Sequence, residues 1–516
     1  MIVTSFRSTL ACLVGLASVL VAGALVTGAA PATAGDPAIA RTDAGLVHGT
    51  VHDGYRTFQG VPYAAPPIGD LRWRDPQPVR AWPDVREADA PGPDCKQNSP
   101  GHGGPRSGDE DCLYLNVTTP ADGRKRRPVL VWLHGGGFQT GSGSGYEAHR
   151  LAVRGDLVVV TVNYRLGVFG YLGLPGLAGS GTFGLKDQQA ALRWVRRNAA
   201  AFGGDPRSIT LAGQSAGGMS VCAHLTSPAA AGLFDRAVIQ SGSCLTDWPA
   251  ELFYPGVDAG STWSPAADVR HAGASLAATL HCGADAVACL RDQPADTLLK
   301  LTEGTGLDAF LTPAYGTATL PRHPADAVRA GAFHRVPVLS GNTRDEHRSL
   351  IAYLDARTPV TTERYAGVLK AAFGDRADQV AARYPVEAYA SPALAWAAVA
   401  TDRIWACPTL AGNRLFARHT PTFAYEFGEG QEPWGAYHGS ELPYLFGPSP
   451  QSPALAERMI DAWSRFASTG ESGWPRLRPG AVTPYVRTLA TGASGSVDLA
   501  VEHRCGLWRP STPVAG

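Results

Sequence analysis

The feature that most constrains the fold is a G-x-S-x-G pentapeptide, residues 213–217, with Ser215 at its centre. An apolar run, residues 208–212, leads into it, and small residues follow it. When a strand passes into a helix through this motif, the serine occupies a sharp, strained turn and its hydroxyl is exposed. The flanking Gly213 and Gly217 avoid side-chain clashes with the neighbouring strand and helix. The motif therefore predicts a strand, a tight turn and a helix that present Ser215 as a nucleophile.

A second glycine-rich segment lies upstream, where His134 is followed by three glycines and Phe138. It comes directly after the apolar run Arg127–Leu133, which has the pattern of a buried strand. The backbone N–H groups of such a loop are unobstructed and can point at an oxyanion. The two segments occur in the order expected for nucleophilic serine chemistry, which makes a chance match to either of them less credible.

Apolar strand-like runs alternate with helical patterns along the first half of the chain, and strand patterns return later. This alternation predicts an α/β fold with a parallel sheet and helices on both faces. Residues 246–307 are alanine-rich and helical, without clear strands. The predicted strands are Arg127–Leu133, 157–163, 208–212, 236–241, 336–340 and Thr422–Phe427, and the predicted helices are 184–202, 219–225 and 454–467.

The first 34 residues have the pattern of a secretory signal peptide. Arg7 supplies a positive charge, residues 11–26 are apolar, and Ala32 to Ala34 form a small-residue cleavage site. A membrane anchor is the alternative, but about 16 apolar residues are short for a membrane span. We therefore expect a secreted, extracellular protein without a stable membrane anchor.

Charge and metal-ligand spacing indicate what the chain does not bind. Lys plus Arg and Asp plus Glu each number 45, so the net charge is zero and no nucleic-acid partner is indicated. The sequence contains no Cys-x-x-Cys pair and no His-Glu-x-x-His motif. We therefore expect no metal site. We also expect no cofactor, because nucleophilic serine chemistry needs none.

A nucleophilic serine needs an adjacent base, which in turn is oriented by a carboxylate. The chain order serine, acid, histidine leaves His347, His419, His438 and His503 as candidate bases. Active groups gather beyond the carboxyl ends of parallel strands. His438 follows the predicted strand Thr422–Phe427, whereas His419 precedes it. His503 has no strand leading into it and His347 adjoins the candidate acids, so His438 is the predicted base.

The acid is expected after the predicted strand 336–340. Two adjacent carboxylates, Asp345 and Glu346, follow that strand. Position alone does not choose between them. Asp345 could instead pair with Arg344 or cap the next helix.

With these residues assembled, the chain resembles the type-B carboxylesterase family, which includes relatives of the cholinesterases. The resemblance covers nearly all of the chain after residue 34. It implies one catalytic domain, residues 35–516, with an α/β-hydrolase fold in which a mostly parallel sheet carries helices on both faces and helical insertions. The matching stretches are residues 60–64, 110–117, 134–138, 163–165, 184–188, 213–217, 240–243 and 438–439.

The resemblance also implies roles for individual residues. One departure from the family pattern is His347, which follows the acid where the family usually has glycine. The implied residues are Ser215 as nucleophile, Glu346 as acid, His438 as base, the backbone N–H groups of Gly136, Gly137 and Ala216 as the oxyanion hole, and Ser241 as support for the acid.

Of the nine cysteines, Cys12 lies in the predicted signal peptide and eight follow it. The family pattern implies the bridges Cys95–Cys112, Cys282–Cys289 and Cys407–Cys505. Cys222 and Cys244 have no family partner, and we expect them to be buried free thiols. A disulfide between them is the alternative, because a secreted protein matures in an oxidising compartment.

The resemblance predicts a serine esterase that acts through an acyl-enzyme on a small-molecule ester. The sequence does not give the oligomeric state, and a monomer is the default. A lipase acting on longer-chain acylglycerols and an amide hydrolase are alternatives. Residues 307–313 are expected to line the acyl pocket, because they precede the predicted strand before the acid. A non-catalytic adhesion or binding protein is a further alternative. That alternative would call for a missing nucleophile or base, and both are present here.

The alcohol side of the substrate is expected to be uncharged. Cholinesterases hold a quaternary ammonium group against a tryptophan in the loop that the first disulfide closes, and a Glu beside the nucleophile adds negative charge. Here the loop between Cys95 and Cys112 contains no Phe, Tyr or Trp, and the residue before Ser215 is the neutral Gln214. Both elements for a cation are therefore missing.

Overall fold

A sheet of eleven strands forms the centre of the fold. The computed structural model describes residues 36–98, 106–302, 312–448, 450–493 and 495–508. From Pro37 onward, the described residues belong to one compact unit. The predicted signal peptide and most of segment 307–313 lie outside the described residues.

The described residues form eighteen strands, numbered in chain order. They are β1 Ile39–Arg41, β2 Leu46–His48, β3 Thr50–Val51, β4 Tyr55–Pro62, β5 Arg86–Glu87, β6 Tyr114–Pro120, β7 Arg127–Leu133, β8 Val158–Val162, β9 Gly204–Gln214, β10 Arg236–Gln240, β11 Asp247–Trp248, β12 Gly260–Ser261, β13 Ser264–Pro265, β14 Ala314–Tyr315, β15 Val338–Thr343, β16 Thr422–Phe427, β17 Val486–Leu489 and β18 Ser496–Val497.

The α-helices are numbered in the same way. They are α1 His149–Gly155, α2 Gly167–Tyr171, α3 Phe183–Asn198, α4 Ala216–Thr226, α5 Ala266–Thr279, α6 Ala286–Arg291, α7 Ala295–Thr302, α8 Pro324–Arg329, α9 Arg348–Asp355, α10 Thr362–Phe373, α11 Ala377–Arg383, α12 Pro392–Ala400, α13 Cys407–Phe416, α14 Leu442–Phe446, α15 Pro453–Thr469 and α16 Leu499–Glu502. A π-helical turn, Thr401–Ala406, joins α12 to α13.

The large sheet has the order β18-β17-β16-β15-β10-β9-β7-β8-β6-β4-β3. The seven strands from β8 to β17 pair in parallel. The remaining strands at the two ends pair antiparallel with their neighbours. The predicted parallel sheet is therefore confirmed, and the antiparallel ends make it a mixed sheet.

Strand β7 shows how the sheet separates two hydrophobic cores. Successive side chains of a strand point to opposite faces. Val129, Val131 and Leu133 lie in the core that includes α3 and α4, whereas Leu130 and Trp132 lie in the core that includes α1 and α15. Both sets are fully buried, at 0% exposure. A strand covered on both faces favours apolar side chains on both, which explains the unbroken hydrophobic run from Val129 to Leu133.

The predicted elements differ from the observed ones mainly at their ends. The strand before Ser215 begins at Gly204 rather than at residue 208, and the strand before the acids ends at Thr343 rather than at residue 340. In the region 246–307, short two-residue strands lie between the loops and the predicted helices. Pairs this short carry no period-2 pattern, so the sequence gives no signal for them.

Four disulfides link the described residues. Three match the family pattern: Cys95–Cys112, Cys282–Cys289 and Cys407–Cys505. The fourth joins Cys222 to Cys244, so the expectation of free thiols at these two positions is wrong.

The reason for the Cys222–Cys244 bridge is a close approach of two backbones. Helix α4 packs on β10, and a Cβ on Gly242 would lie only 2.7 Å from the backbone carbon of Gly218. The two glycines allow the helix to approach the segment after β10 until the Cα atoms of the cysteines are 5.3 Å apart. That separation suits a disulfide.

Among the described residues, no helix combines the length and the apolar character needed to cross a membrane.

Candidate functional site

Five central strands bring the predicted site residues to one edge of the sheet. β7, β9, β10, β15 and β16 are parallel neighbours, so their carboxyl ends lie together. The glycine loop follows β7, Ser215 follows β9, Glu346 follows β15, and His438 follows β16. This edge is where ligand sites form in parallel α/β sheets.

Ser215 occupies a strained turn between β9 and α4. Its φ of 55° and ψ of −124° are unusual for a residue with a side chain. A Cβ on Gly213 would lie 2.4 Å from the backbone of Gly217, and one on Gly217 would lie 2.0 Å from the carbonyl oxygen of Leu133. Both flanking positions therefore require glycine, as the sequence motif predicted.

The loop after β7 lies directly against this turn. A Cβ on Gly135 would be 3.1 Å from Ser215 Cβ. Gly136 has a φ of 106°, and a Cβ there would lie 2.1 Å from the carbonyl oxygen of Thr140. Among the described residues, no acceptor hydrogen-bonds to the backbone N–H groups of Gly136, Gly137 or Ala216. These donors are free to bind a ligand oxygen, as an oxyanion hole requires.

Glu346 and His438 form a short hydrogen bond at this edge. His438 Nδ1 lies 2.5 Å from Glu346 Oε2, and Glu346 Oε1 accepts from the Thr343 N–H at 2.8 Å. Glu346 is fully buried, whereas 17% of the His438 side chain is exposed. Burial lowers the pKa of His438, but the charge and hydrogen bond of Glu346, with the charge of Glu441, outweigh it and raise that pKa above 6.5.

Asp345, the other candidate acid, is occupied elsewhere. Its Oδ2 accepts from the Ala436 N–H at 2.9 Å, and its carboxylate forms ion pairs with Arg344 and Arg348. Its backbone N–H also donates to the Ala436 carbonyl oxygen at 2.9 Å. Asp345 therefore fastens the loop that precedes His438, and it is Glu346 that meets the imidazole.

The remaining ring nitrogen of His438 contacts Gln214. The Gln214 amide Nε2 donates to His438 Nε2 at 3.2 Å, so the neutral ring carries its proton on Nδ1 and a lone pair on Nε2. No hydrogen bond among the described residues joins Ser215 Oγ to His438. Such bonds are often long before substrate binds. Sequence reasoning used Gln214 only as a neutral residue and did not anticipate this contact.

Ser241 lies at the end of β10 with a φ of 48°. Its N–H donates to the Gly341 carbonyl oxygen at 2.9 Å, and its buried Oγ has no hydrogen-bond partner among the described residues. Its expected support of Glu346 therefore stays a prediction.

The backbone at His347 does not require the glycine that the family usually has there. Its φ of −89° and ψ of −3° are accessible to any residue. Its side chain is fully buried and forms hydrogen bonds with Phe253 and Trp405, not with His438 or Glu346.

Glu441 is a buried carboxyl group near the site that sequence reasoning missed. Its Oε1 accepts from Gln240 Nε2 at 3.1 Å, and its Oε2 has no partner among the described residues. Burial, followed by the charge of Glu346, raises the pKa of Glu441 to about 7. Glu441 therefore changes its charge near neutral pH and contributes to the field at His438.

A second buried ionic cluster, the His503 cluster, comprises His503, Asp402 and Glu426. His503 Nδ1 lies 2.5 Å from Asp402 Oδ1, and Nε2 lies 2.6 Å from Glu426 Oε1. Burial lowers the pKa of His503, but the two hydrogen-bonded carboxylates raise it to about 10. The ring is therefore an imidazolium. Glu502 also lies nearby, yet an imidazolium has no lone pair for a metal ion.

Most of the chain is similar to known proteins. The sequence profile described as the carboxylesterase family matches residues 36–481. The para-nitrobenzyl esterase of Bacillus subtilis (strain 168) is 35% identical over 467 residues, which cover 85% of this chain and 92% of that protein. The fumonisin B1 esterase of Sphingopyxis macrogoltabida is 35% identical over 512 residues, which cover 89% of this chain and 88% of that protein.

The fold has a solved counterpart. The structure of a thermophilic PNB esterase superimposes with a TM-score of 0.76 at 31% sequence identity, covering 92% of this chain and 100% of that one. The predicted α/β-hydrolase fold is thereby confirmed. The chain belongs to the carboxylesterase family and is a carboxylic ester hydrolase.

Proposed function

We propose that this protein is a secreted serine esterase that hydrolyses neutral carboxylic esters through an acyl-enzyme. The observation that carries the proposal is the 2.5 Å hydrogen bond between His438 and Glu346, at the sheet edge where Ser215 occupies its strained turn. A serine, an imidazole and a buried carboxylate in this chain order form the machinery of serine hydrolases.

In the proposed acylation step, Ser215 Oγ attacks the ester carbonyl carbon while His438 Nε2 takes the hydroxyl proton. The Gln214 amide leaves Nε2 as the serine hydroxyl approaches. Glu346 stabilises the imidazolium. The N–H groups of Gly136, Gly137 and Ala216 would bind the oxyanion of the tetrahedral intermediate.

The intermediate collapses when the carbon–oxygen bond to the alcohol breaks. His438 then gives its proton to the leaving alkoxide, and the acyl group stays on Ser215. A water molecule loses a proton to His438 and attacks the acyl carbon. The second collapse releases the carboxylic acid and returns the proton to Ser215.

Secretion is supported by the cysteines and by the N-terminal pattern. All eight cysteines that follow residue 34 are paired in disulfides. Such pairing is typical of proteins that mature outside the cytosol. The signal-like residues 1–34 are consistent with that compartment.

The roles of the two adjacent carboxylates can be separated by amide substitution. We expect Glu346→Gln to lower kcat by about 10⁴-fold, because the imidazolium loses its negative partner and the ring its orientation. Asp345→Asn keeps a similar shape and an acceptor for the Ala436 N–H, and should lower kcat much less. Steady-state kinetics on a p-nitrophenyl ester, with Tm as a check of folding, measures both. The reverse ranking would contradict Glu346 as the acid.

The relatives are named for unlike substrates, so their names do not indicate one substrate for this chain. The proposed preference for neutral esters rests instead on the residues expected to face the alcohol group. With no Phe, Tyr or Trp between Cys95 and Cys112, and with neutral Gln214 beside Ser215, the chain lacks the cation–π contact from that loop, which would contribute about 2 kcal/mol when desolvated. We expect kcat/KM for an uncharged butyrate ester to exceed that for butyrylcholine when the leaving groups are of similar reactivity. A higher kcat/KM for the choline ester would show that another group supplies a cation site.

A further inference from the structure

His347 connects the segment that carries the acid to two other parts of the fold. Its backbone N–H donates to Thr401 Oγ1 at 3.0 Å, and its ring Nε2 lies 2.8 Å from the carbonyl oxygen of Phe253. A carbonyl oxygen only accepts, so Nε2 carries the proton and Nδ1 is an acceptor. Trp405 Nε1 donates to that Nδ1 at 3.0 Å.

The charge state of His347 agrees with this pattern of hydrogen bonds. Burial lowers its pKa to about 4, so the ring is neutral at the pH at which His438 titrates. A neutral ring with one donor and one acceptor satisfies the Phe253 carbonyl and the Trp405 N–H together. Glycine at position 347 would leave the buried Trp405 N–H without this acceptor, and an unsatisfied buried donor destabilises its conformation.

Trp405 connects His347 to the predicted base. It lies in the π-helical turn Thr401–Ala406 and is 3% exposed. Its ring centroid is 4.8 Å from that of His438, with 45° between the ring planes. π-helical turns within helices often occur at functional sites because they displace side chains from their regular positions. Here the turn carries the indole that contacts the imidazole.

His438 has few other restraints. It lies on a loop, and Gly439, which follows it, has a φ of 83°. Its ring forms hydrogen bonds to Glu346 and Gln214 only, among the described residues. The Gln214 bond must break when Ser215 transfers its proton. At that moment, Glu346 is the remaining hydrogen-bond partner of the ring among the described residues, and the indole packs against its face.

We propose that His347 and Trp405 form a positioning pair that holds the His438 imidazole in the orientation needed for proton transfer from Ser215. His347 fixes the indole through its Nε1–H, and the indole packs on the imidazole. The inference rests on the proposed function, because it assumes that His438 is the base. Neither residue exchanges a proton with the substrate.

Four variants test the pair. Trp405→Ala removes the ring contact with His438. His347→Leu removes both side-chain hydrogen bonds of His347 and still fills the space of the imidazole. His347→Asn restores an acceptor, Oδ1, close to the former Nδ1. Trp396→Phe is the matched control, because Trp396 is also fully buried and donates one N–H, to the Leu252 carbonyl oxygen at 2.8 Å, but has no ring contact with His438.

We expect Trp405→Ala to lower kcat about 10- to 100-fold with little change in KM, since a misoriented base slows the chemical step. His347→Leu should have a smaller effect in the same direction, and His347→Asn should recover part of the loss. The acid limb of kcat/KM reports the pKa of His438 and should move in Trp405→Ala, because loss of the indole changes both the burial that lowers this pKa and the Glu346 hydrogen bond that raises it. The charged groups facing His438 are Glu346 and Glu441. Trp396→Phe should lower Tm and leave kcat and KM unchanged.

The rate at which an organophosphonate reacts with Ser215 separates this inference from the proposed function. Labelling of Ser215 in the wild-type protein supports the proposed function, and slower labelling in Trp405→Ala and His347→Leu supports the pair. If the wild-type protein is labelled at Ser215, and both variants are labelled at the wild-type rate and keep the wild-type pH profile, the pair alone is refuted. If the wild-type protein is not labelled at Ser215, the proposed function fails and the pair fails with it.

Discussion

Replacing Ser215 with alanine is expected to lower the turnover of a p-nitrophenyl ester by about 10⁴- to 10⁶-fold. Without the hydroxyl there is no acyl-enzyme, so only the backbone donors and the binding of substrate would still favour the reaction. The fold should tolerate alanine, because it keeps the Cβ of Ser215, the atom that faces the loop after β7. An unchanged Tm and a loss of turnover together would identify Ser215 as a chemical rather than a structural residue.

The matched control for this variant is Ser241→Ala. Ser241 also has a positive φ, of 48°, at the carboxyl end of a neighbouring strand, and its buried Oγ has no described partner. We expect its turnover to fall far less than that of Ser215→Ala. Mass spectrometry after treatment with an organophosphonate should find one adduct, on Ser215. An adduct on another serine, or retained turnover in Ser215→Ala, would refute the mechanism.

Replacing His503 with glutamine is expected to destabilise the protein by about 3–5 kcal/mol, because Asp402 and Glu426 lose the cation that they share. Of the two carboxylates, only Asp402 keeps another described ion pair, with Arg504 at 3.5 Å. The matched control is His48→Gln, which breaks the solvent-exposed pair with Glu87 and should cost about 0–1 kcal/mol. Urea unfolding with the disulfides intact measures both. Equal effects of the two substitutions would show that the His503 cluster does not stabilise the fold.

The same cluster predicts a dependence of stability on pH. The pKa of His503 rises from an ordinary 6.5 to about 10 in the folded protein. Its contribution is therefore complete below pH 6.5 and is lost as the pH rises toward 10, at up to about 1.4 kcal/mol per pH unit. We expect wild-type stability to decline relative to His503→Gln across that range. A constant difference between the two proteins would contradict the protonated state of His503.

The sequence by itself determined the features that depend on residues adjacent in the chain. The turn at Ser215 has no room for side chains on either flank, because a Cβ on Gly217 would lie 2.0 Å from a carbonyl oxygen. Glycine is therefore required at both flanking positions. The apolar run Arg127–Leu133 follows from a strand covered on both faces. Local constraints of this kind leave a pattern in consecutive residues. The fold class could therefore be predicted, as could the order of Ser215, the acids and His438.

Only the tertiary structure decided which distant side chains meet. Position could not choose between Asp345 and Glu346, because one faces the Ala436 loop and the other faces His438 only after β15 and β16 pair. The Cys222–Cys244 bridge likewise depends on how closely α4 approaches the end of β10.

The contacts of Trp405 with His347 and His438, and of His503 with two carboxylates, join segments far apart in the chain. No period or motif in the sequence records such contacts. They arise because helices and loops from separate parts of the chain pack at the same edge of the sheet. The physical reason is that packing sets the distances between side chains, whereas a local pattern sets only the conformation of the backbone that carries them.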